Sequence, residues 1–113
     1  MSAEDPTVTD PQLYSVIFEN ERVRVLAYRD EPGASTHPHR HPDSVMIPLV
    51  DFQRRVTHGG QQAEVRLTAG QPRWLPAQEH SGENNGDTPS AAIFVELKDA
   101  GPGPAVESPL GPR

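Results

Sequence analysis

Apolar and polar residues alternate along this chain in short bursts, and nearly every burst is closed by glycine, proline or asparagine. Residues 22–29 (Arg-Val-Arg-Val-Leu-Ala-Tyr-Arg) alternate with period two, the pattern of a strand with one wet face. Residues 13–18 form a shorter strand candidate, and 44–50, 52–57, 62–67, 73–75, 80–84 and 91–98 complete the series. The last of these is the most apolar and is expected to be well buried. Turn compositions separate the strands at 19–21, 30–33, 68–72 and 85–87. Gly59-Gly60 between two strand candidates is a hairpin signal. Pro48 cannot donate to a ladder, which places it at an edge or a bulge. The pattern therefore predicts eight or nine short strands and no convincing helix. Few of the turns could hold a parallel crossover, so the sheet is expected to be antiparallel. An all-β closed barrel or double-sheet jelly roll fits, with an ordinary β-sandwich as the alternative. The core is assigned to Val25, Ile47, Leu67, Ile93 and Val95.

Composition narrows the picture. A chain of 113 residues suits one domain. Residues 13–99 are read as the barrel, the polar residues 1–12 as an N-terminal arm outside the core, and the Pro/Gly-rich residues 100–113 as a tail. Thirteen prolines and nine glycines argue against long helices. A formal net charge of −6 gives no basic surface, which argues against nucleic acid as a partner. No apolar run approaches a membrane span, and the first residues lack a signal-peptide pattern, so a cytoplasmic protein is expected. The absence of cysteine excludes a disulfide and a thiolate metal site.

The stretch from Gly33 to His41 carries the candidate chemistry. His37, His39 and His41 stand at alternate positions, and alternate side chains of a strand share a face. Imidazole is a common transition-metal ligand. A solvated loop bracketed by Pro38 and Pro42, or adventitious metal affinity, are the competing readings of the cluster alone. His80, well downstream, is a further candidate if closure of the fold returns it to His39 and His41. His58 falls at the hairpin and is read as solvated.

At this point the chain resembles a small single-domain cupin, the double-stranded β-helix or jelly-roll family. The first cupin motif runs Gly, five residues, His-x-His, and then a Glu and a Gly; Gly33, five residues, His39-Arg40-His41 reproduces its first half. The second motif is matched by Gly70, five residues, Pro76, and by His80, three residues, Asn84. Residues 20–98 or so carry the resemblance. The chain departs from the pattern where the Glu should fall, at Val45 or Met46, and where the first motif should close on Gly, near Val50-Asp51-Phe52. Gln78 replaces a usual Gly, and the gap before His80 is one residue short.

The resemblance implies a divalent metal, Fe, Ni, Zn or Mn, held by His39, His41 and His80 without a motif carboxylate. His37 and Asp43 are possible additional ligands, and Val45 would present an apolar wall where the family has Glu. It further implies a small organic molecule, carboxylate in type, in the barrel. Three-His cupins include thiol dioxygenases, so an oxygenase-type enzyme is the leading function. A non-catalytic small-molecule-binding cupin and a structural β-domain with incidental metal affinity are the alternatives, since fold alone does not select among them. Any of Arg24, Arg29, Arg54, Arg55 and Arg73 that points inward would anchor a carboxylate, and of Arg54 and Arg55 only one can. Trp74 and Phe94 are candidate pocket walls. A homodimer is expected, because an edge strand near the start of a short chain has reason to be covered.

Overall fold

The computed structural model describes residues 4–99. Its elements are a one-turn helix α1 (Pro6–Thr9) and nine strands: β1 (Tyr14–Glu19), β2 (Val23–Asp30), β3 (His39–His41), β4 (Ser44–Pro48), β5 (Phe52–His58), β6 (Gln61–Leu67), β7 (Arg73–Leu75), β8 (Gln78–Glu83) and β9 (Ser90–Leu97). The strands form two antiparallel sheets, ordered β1-β2-β9-β4-β7 and β3-β8-β5-β6. Ladder hydrogen bonds do not close them into one barrel, so the jelly-roll form of the expected all-β fold is the one adopted.

The core lies between the sheets and consists of Tyr14, Leu26, Tyr28, Phe52, Leu67, Ala92 and Phe94. Of the residues expected there from sequence, only Leu67 belongs to this cluster. Val25, Ile47, Ile93 and Val95 are half-buried on the opposite face of the five-stranded sheet. The error has a physical origin. β2 and β9 are apolar on both faces, so alternation cannot say which face turns inward. The answer lies in the register: Leu26 pairs with Phe94 and Tyr28 with Ala92, putting one large side chain from each strand on the inner side. Pro48 ends β4, where the next ladder bond is made by Leu49 N–H to the Ala91 carbonyl.

Residues expected to stand clear of the core in the N-terminal arm do not all do so. Pro6 and Asp10 are fully buried. Asp5 caps α1 by accepting from Thr7 N–H at 2.8 Å, and Pro6 follows it inside the first turn, a recognisable helix start. The tail, 100–113, lies outside the described residues.

The β5–β6 hairpin turns through Gly59 (φ +56°) and Gly60 (φ +80°), both left-handed, as a two-residue turn of the primed type requires. Gly60→Ala is therefore expected to cost about 1 kcal/mol in denaturant titration, and Gly59→Asn only a few tenths, since asparagine tolerates the left-handed region.

Candidate metal centre

β3 and β8 pair so that His39 stands opposite His80 and His41 opposite Gln78. The spacing of two puts His39 and His41 on the inner face of β3, where both are buried, while Arg40 between them is exposed. The three imidazoles meet at steep, T-shaped angles, with ring centroids 4.7 Å apart for His39–His41 and 5.0 Å for each of them to His80. One nitrogen from each ring lies within 4.8 Å of the others. A tetrahedral ion with ordinary metal–nitrogen bonds needs donors about 3.3 Å apart, a contraction of roughly 1 to 1.5 Å at most.

The ring nitrogens are already sorted. His39 Nδ1 is 2.8 Å from the His37 carbonyl, which can only accept, so Nδ1 carries the proton and Nε2 keeps a lone pair. His80 Nδ1 lies 2.8 Å from Gln78 Oε1, with the same consequence. The Gln78 amide is fixed in turn by donating from Nε2 to the Pro76 carbonyl at 2.9 Å. His39 Nε2 and both nitrogens of His41 are buried without a hydrogen-bond partner. Buried polar atoms are rarely left so, and unsatisfied imidazole nitrogens converging on one point fit a cation. Burial, and then the neighbouring His41, pull the His39 pKa down to about 4; burial, and then His41 and His39, pull that of His80 down to about 3. Both are neutral, and so able to ligate, at any ordinary pH.

The additional candidates are not brought to this point. His37 has a side chain 75% exposed and turned to Asp10, because β3 begins only at His39 and the chain is not extended across Pro38. Asp43 lies past the turn at Pro42, where its carboxylate accepts from Ala77 N–H at 2.8 Å. Val45 does not face the site. It pairs with Val95 and Trp74 on the outer side, while Met46, opposite Phe94, lines the pocket. His58 is exposed at its hairpin.

A cavity of about 310 Å³ opens beside His39 and His80. Its walls are mostly apolar, with Tyr14, Phe52, Val65, Leu67 and Phe94 among them, and Phe94 also stacks on His41 at 5.1 Å. One cation enters it, Arg54, whose side chain is 12% exposed. Its guanidinium lies against Gly82, where a Cβ would come within 2.5 Å of Nη2, so the glycine provides the room. Two long contacts hold it, 3.3 Å to the Tyr28 hydroxyl and 3.4 Å to Asp30. Asp30 is itself saturated, accepting from the Tyr28 hydroxyl, from Asn84 Nδ2 at 3.0 Å and from Ser90 N–H at 3.2 Å. Arg54 thus keeps donors in hand.

The other strand arginines are placed elsewhere. Arg29 and Arg73 are exposed, Arg55 pairs with Glu64 and Glu83, and Arg24 pairs with Glu96 and Asp5. Trp74 is 56% exposed on the outside. The residue that sequence reasoning missed is Glu96, buried in β9 with a carboxylate oxygen 3.8 Å from His41 Nδ1. A single acid in the most apolar strand, in phase with Ala92 and Phe94, was the available signal.

Among solved structures the fold is similar to a cupin-domain protein of Bordetella pertussis (28% identity, TM-score 0.72, covering 87% of this chain and 98% of that one). It is also similar to an uncharacterized conserved protein with a double-stranded β-helix domain from Klebsiella pneumoniae (24% identity, TM-score 0.61, 79% of each chain). A third similar fold is that of a predicted oxalate decarboxylase from Thermotoga maritima (18% identity, TM-score 0.54, 75% of this chain and 79% of that one). No sequence-family model matches the chain, and no curated protein does. The fold is that of a small cupin, and it carries a three-histidine cluster, two members of which line an apolar pocket. Among the described residues no helix is long and apolar enough to cross a membrane.

Proposed function

We propose that His39, His41 and His80 bind one divalent transition metal through Nε2, and that the adjoining pocket binds a small, mainly apolar carboxylate with Arg54 on its charged end. The observation that carries this reading is the sorting of the imidazoles: two have Nδ1 committed to an acceptor, and unpartnered buried nitrogens remain between the rings. Three neutral ligands would leave a bound ion its full charge and open positions, the basis for Lewis-acid or oxygen chemistry. The protein's own part is to hold His39 and His80 neutral, exclude water with the aromatic wall, and fix the carboxylate by charge. The function this supports best is an oxygenase-type enzyme acting on that carboxylate.

The experiment is metal analysis of protein purified without an affinity tag, followed by oxygen uptake with a panel of small alkyl and aryl carboxylates. One tightly held metal with substrate-dependent uptake supports the enzyme. Metal and ligand binding without turnover would favour a binding module, and absence of stoichiometric metal would sink the reading. Arg54→Met is expected to weaken carboxylate binding by about 10- to 100-fold, the worth of a charged hydrogen bond. Calorimetric titration checks this, with the matching amides unaffected.

We also propose a homodimer. Phe18, Val25, Val95, Val45 and Trp74 pair in sequence across all five strands of the larger sheet, forming one apolar row on its outer face. Phe18 and Trp74 at its ends are about half exposed, at 51% and 56%. Such a row favours burial against another copy. Sedimentation is expected to give a dimer at micromolar concentration and a monomer for Phe18→Lys/Trp74→Lys; a wild-type monomer would refute it.

A further inference from the structure

We propose that Glu96 and the arm residues Asp5 and Asp10 form a frame that positions the two histidines of β3, so that the arm is part of the metal site without supplying a ligand. This rests on the three-histidine reading above.

The frame reaches His41 from one side. Glu96 has a side chain only 3% exposed, and its Oε2 faces His41 Nδ1 at 3.8 Å. Neither atom has a hydrogen-bond partner. A buried carboxylate oxygen left bare is costly, and the group opposite it is the one ring nitrogen of the cluster still in need of an acceptor. A shift of roughly 1 Å converts the approach into a hydrogen bond. It would give His41 the same tautomer as His39 and His80, with Nε2 turned to the common point. Stacking on Phe94, 11° from parallel, keeps the ring plane fixed while this happens. The other oxygen of Glu96 is held by Arg24 Nε at 2.7 Å, and Arg24 in turn binds Asp5 at the start of α1.

The frame reaches His39 from the other side. Asp10, fully buried, accepts from His37 N–H at 3.0 Å and lies 2.9 Å from His37 Nδ1. It thereby fixes the residue whose carbonyl receives His39 Nδ1–H. Between the two, the Glu4 carbonyl accepts from Arg40 N–H at 2.8 Å. The arm thus grips the chain on both sides of His39 and on the near side of His41. Groups that orient metal-bound histidines typically change affinity 10- to 100-fold when removed.

The test reads both ring tautomers and affinity. Nitrogen-15 NMR of the metal-free protein reports the His41 tautomer, and competition with a chromophoric chelator gives the affinity for Zn(II). Glu96→Ala, Glu96→Gln and Asp5→Asn are compared with wild type and with His58→Ala as a surface control, with melting curves to show that each folds. Wild type is expected to hold His41 protonated at Nδ1. Glu96→Ala should mix the tautomers and lose about 10- to 100-fold in affinity. Glu96→Gln, which keeps an acceptor, should restore the tautomer and part of the affinity, and Asp5→Asn should cost a few-fold. A Glu96→Ala protein that melts earlier but keeps both tautomer and affinity would reduce Glu96 to a structural ion pair and overturn the proposal, while leaving the metal reading intact. Wild type that takes up no Zn(II) would overturn the metal reading and the frame with it.

Discussion

His80→Ala is expected to lose stoichiometric metal while keeping its fold. His80 stands on β8 across from His39, and its ring is the only member of the cluster from outside β3. Two imidazoles on one short strand bind a divalent ion far more weakly than three converging from two strands, so affinity should fall by more than the roughly 100-fold typical of orienting groups. The fold should survive because the side chain is half-buried and outside the core cluster. Its removal strands only Gln78 Oε1, which is near enough to solvent to be hydrated. His58→Ala, at the exposed end of β5, should change neither metal nor stability. Metal analysis, chelator competition and far-ultraviolet circular dichroism on untagged protein check all of this. Full metal in His80→Ala together with loss in His58→Ala would show that the ligands have been misassigned.

The parts of the fold legible in the sequence were those that chain-local chemistry controls. Period-two alternation located strands close to where they lie, and Gly59-Gly60 marked a hairpin that needs two left-handed residues. Which face of a strand turns inward was legible only where the two faces differ in polarity. β3 has histidine and arginine in alternation, and its parity is plain. β9 has Ile93 and Val95 on one face and Ala92, Phe94 and Glu96 on the other, and hydrophobicity alone favours the wrong one.

The site was legible in outline for the same reason. Spacing singled out His39 and His41, but it also pointed to His37, because nothing in a period of two announces that the strand begins only after Pro38. Gln78 looked like a lapse from a pattern that calls for glycine, yet the structure gives it a task, holding His80 Nδ1. Arg54 could not be ranked above Arg55, since adjacent residues on a strand differ only in facing. Gly82 beside it is what leaves room for an inward guanidinium. That fit depends on the pairing of β5 with β8, distant in the chain, which no local pattern encodes.

Acid is expected to destabilise the metal-free protein well before its carboxylates are protonated. In the folded state His39 titrates near pH 4 and His80 near pH 3, mainly because burial disfavours the charged ring. An unfolded chain takes up these protons near pH 6.5. Below that pH the unfolded state binds more protons than the folded one, so stability falls as pH falls. The loss levels off only once pH has passed below the folded values. The order-of-magnitude loss by pH 4 is about 3 kcal/mol per ring and at most about 6 kcal/mol for the two together, a large share of the about 5–15 kcal/mol of a whole small domain. Denaturant titrations at pH 7, 5.5 and 4.5 should show the decline, and a His39→Gln/His80→Gln variant should flatten it. The same depression governs metal retention. A surface histidine cluster releases metal as pH drops through about 6.5, where its imidazoles protonate. His39 and His80 remain neutral lower than that, so proton competition at these two ligands should set in only near pH 5 and below. Bound metal, which requires the neutral rings, should also offset the acid loss of stability by mass action. Metal release centred at pH 6.5 in wild type would mean that the ion sits on exposed histidines instead of the buried three.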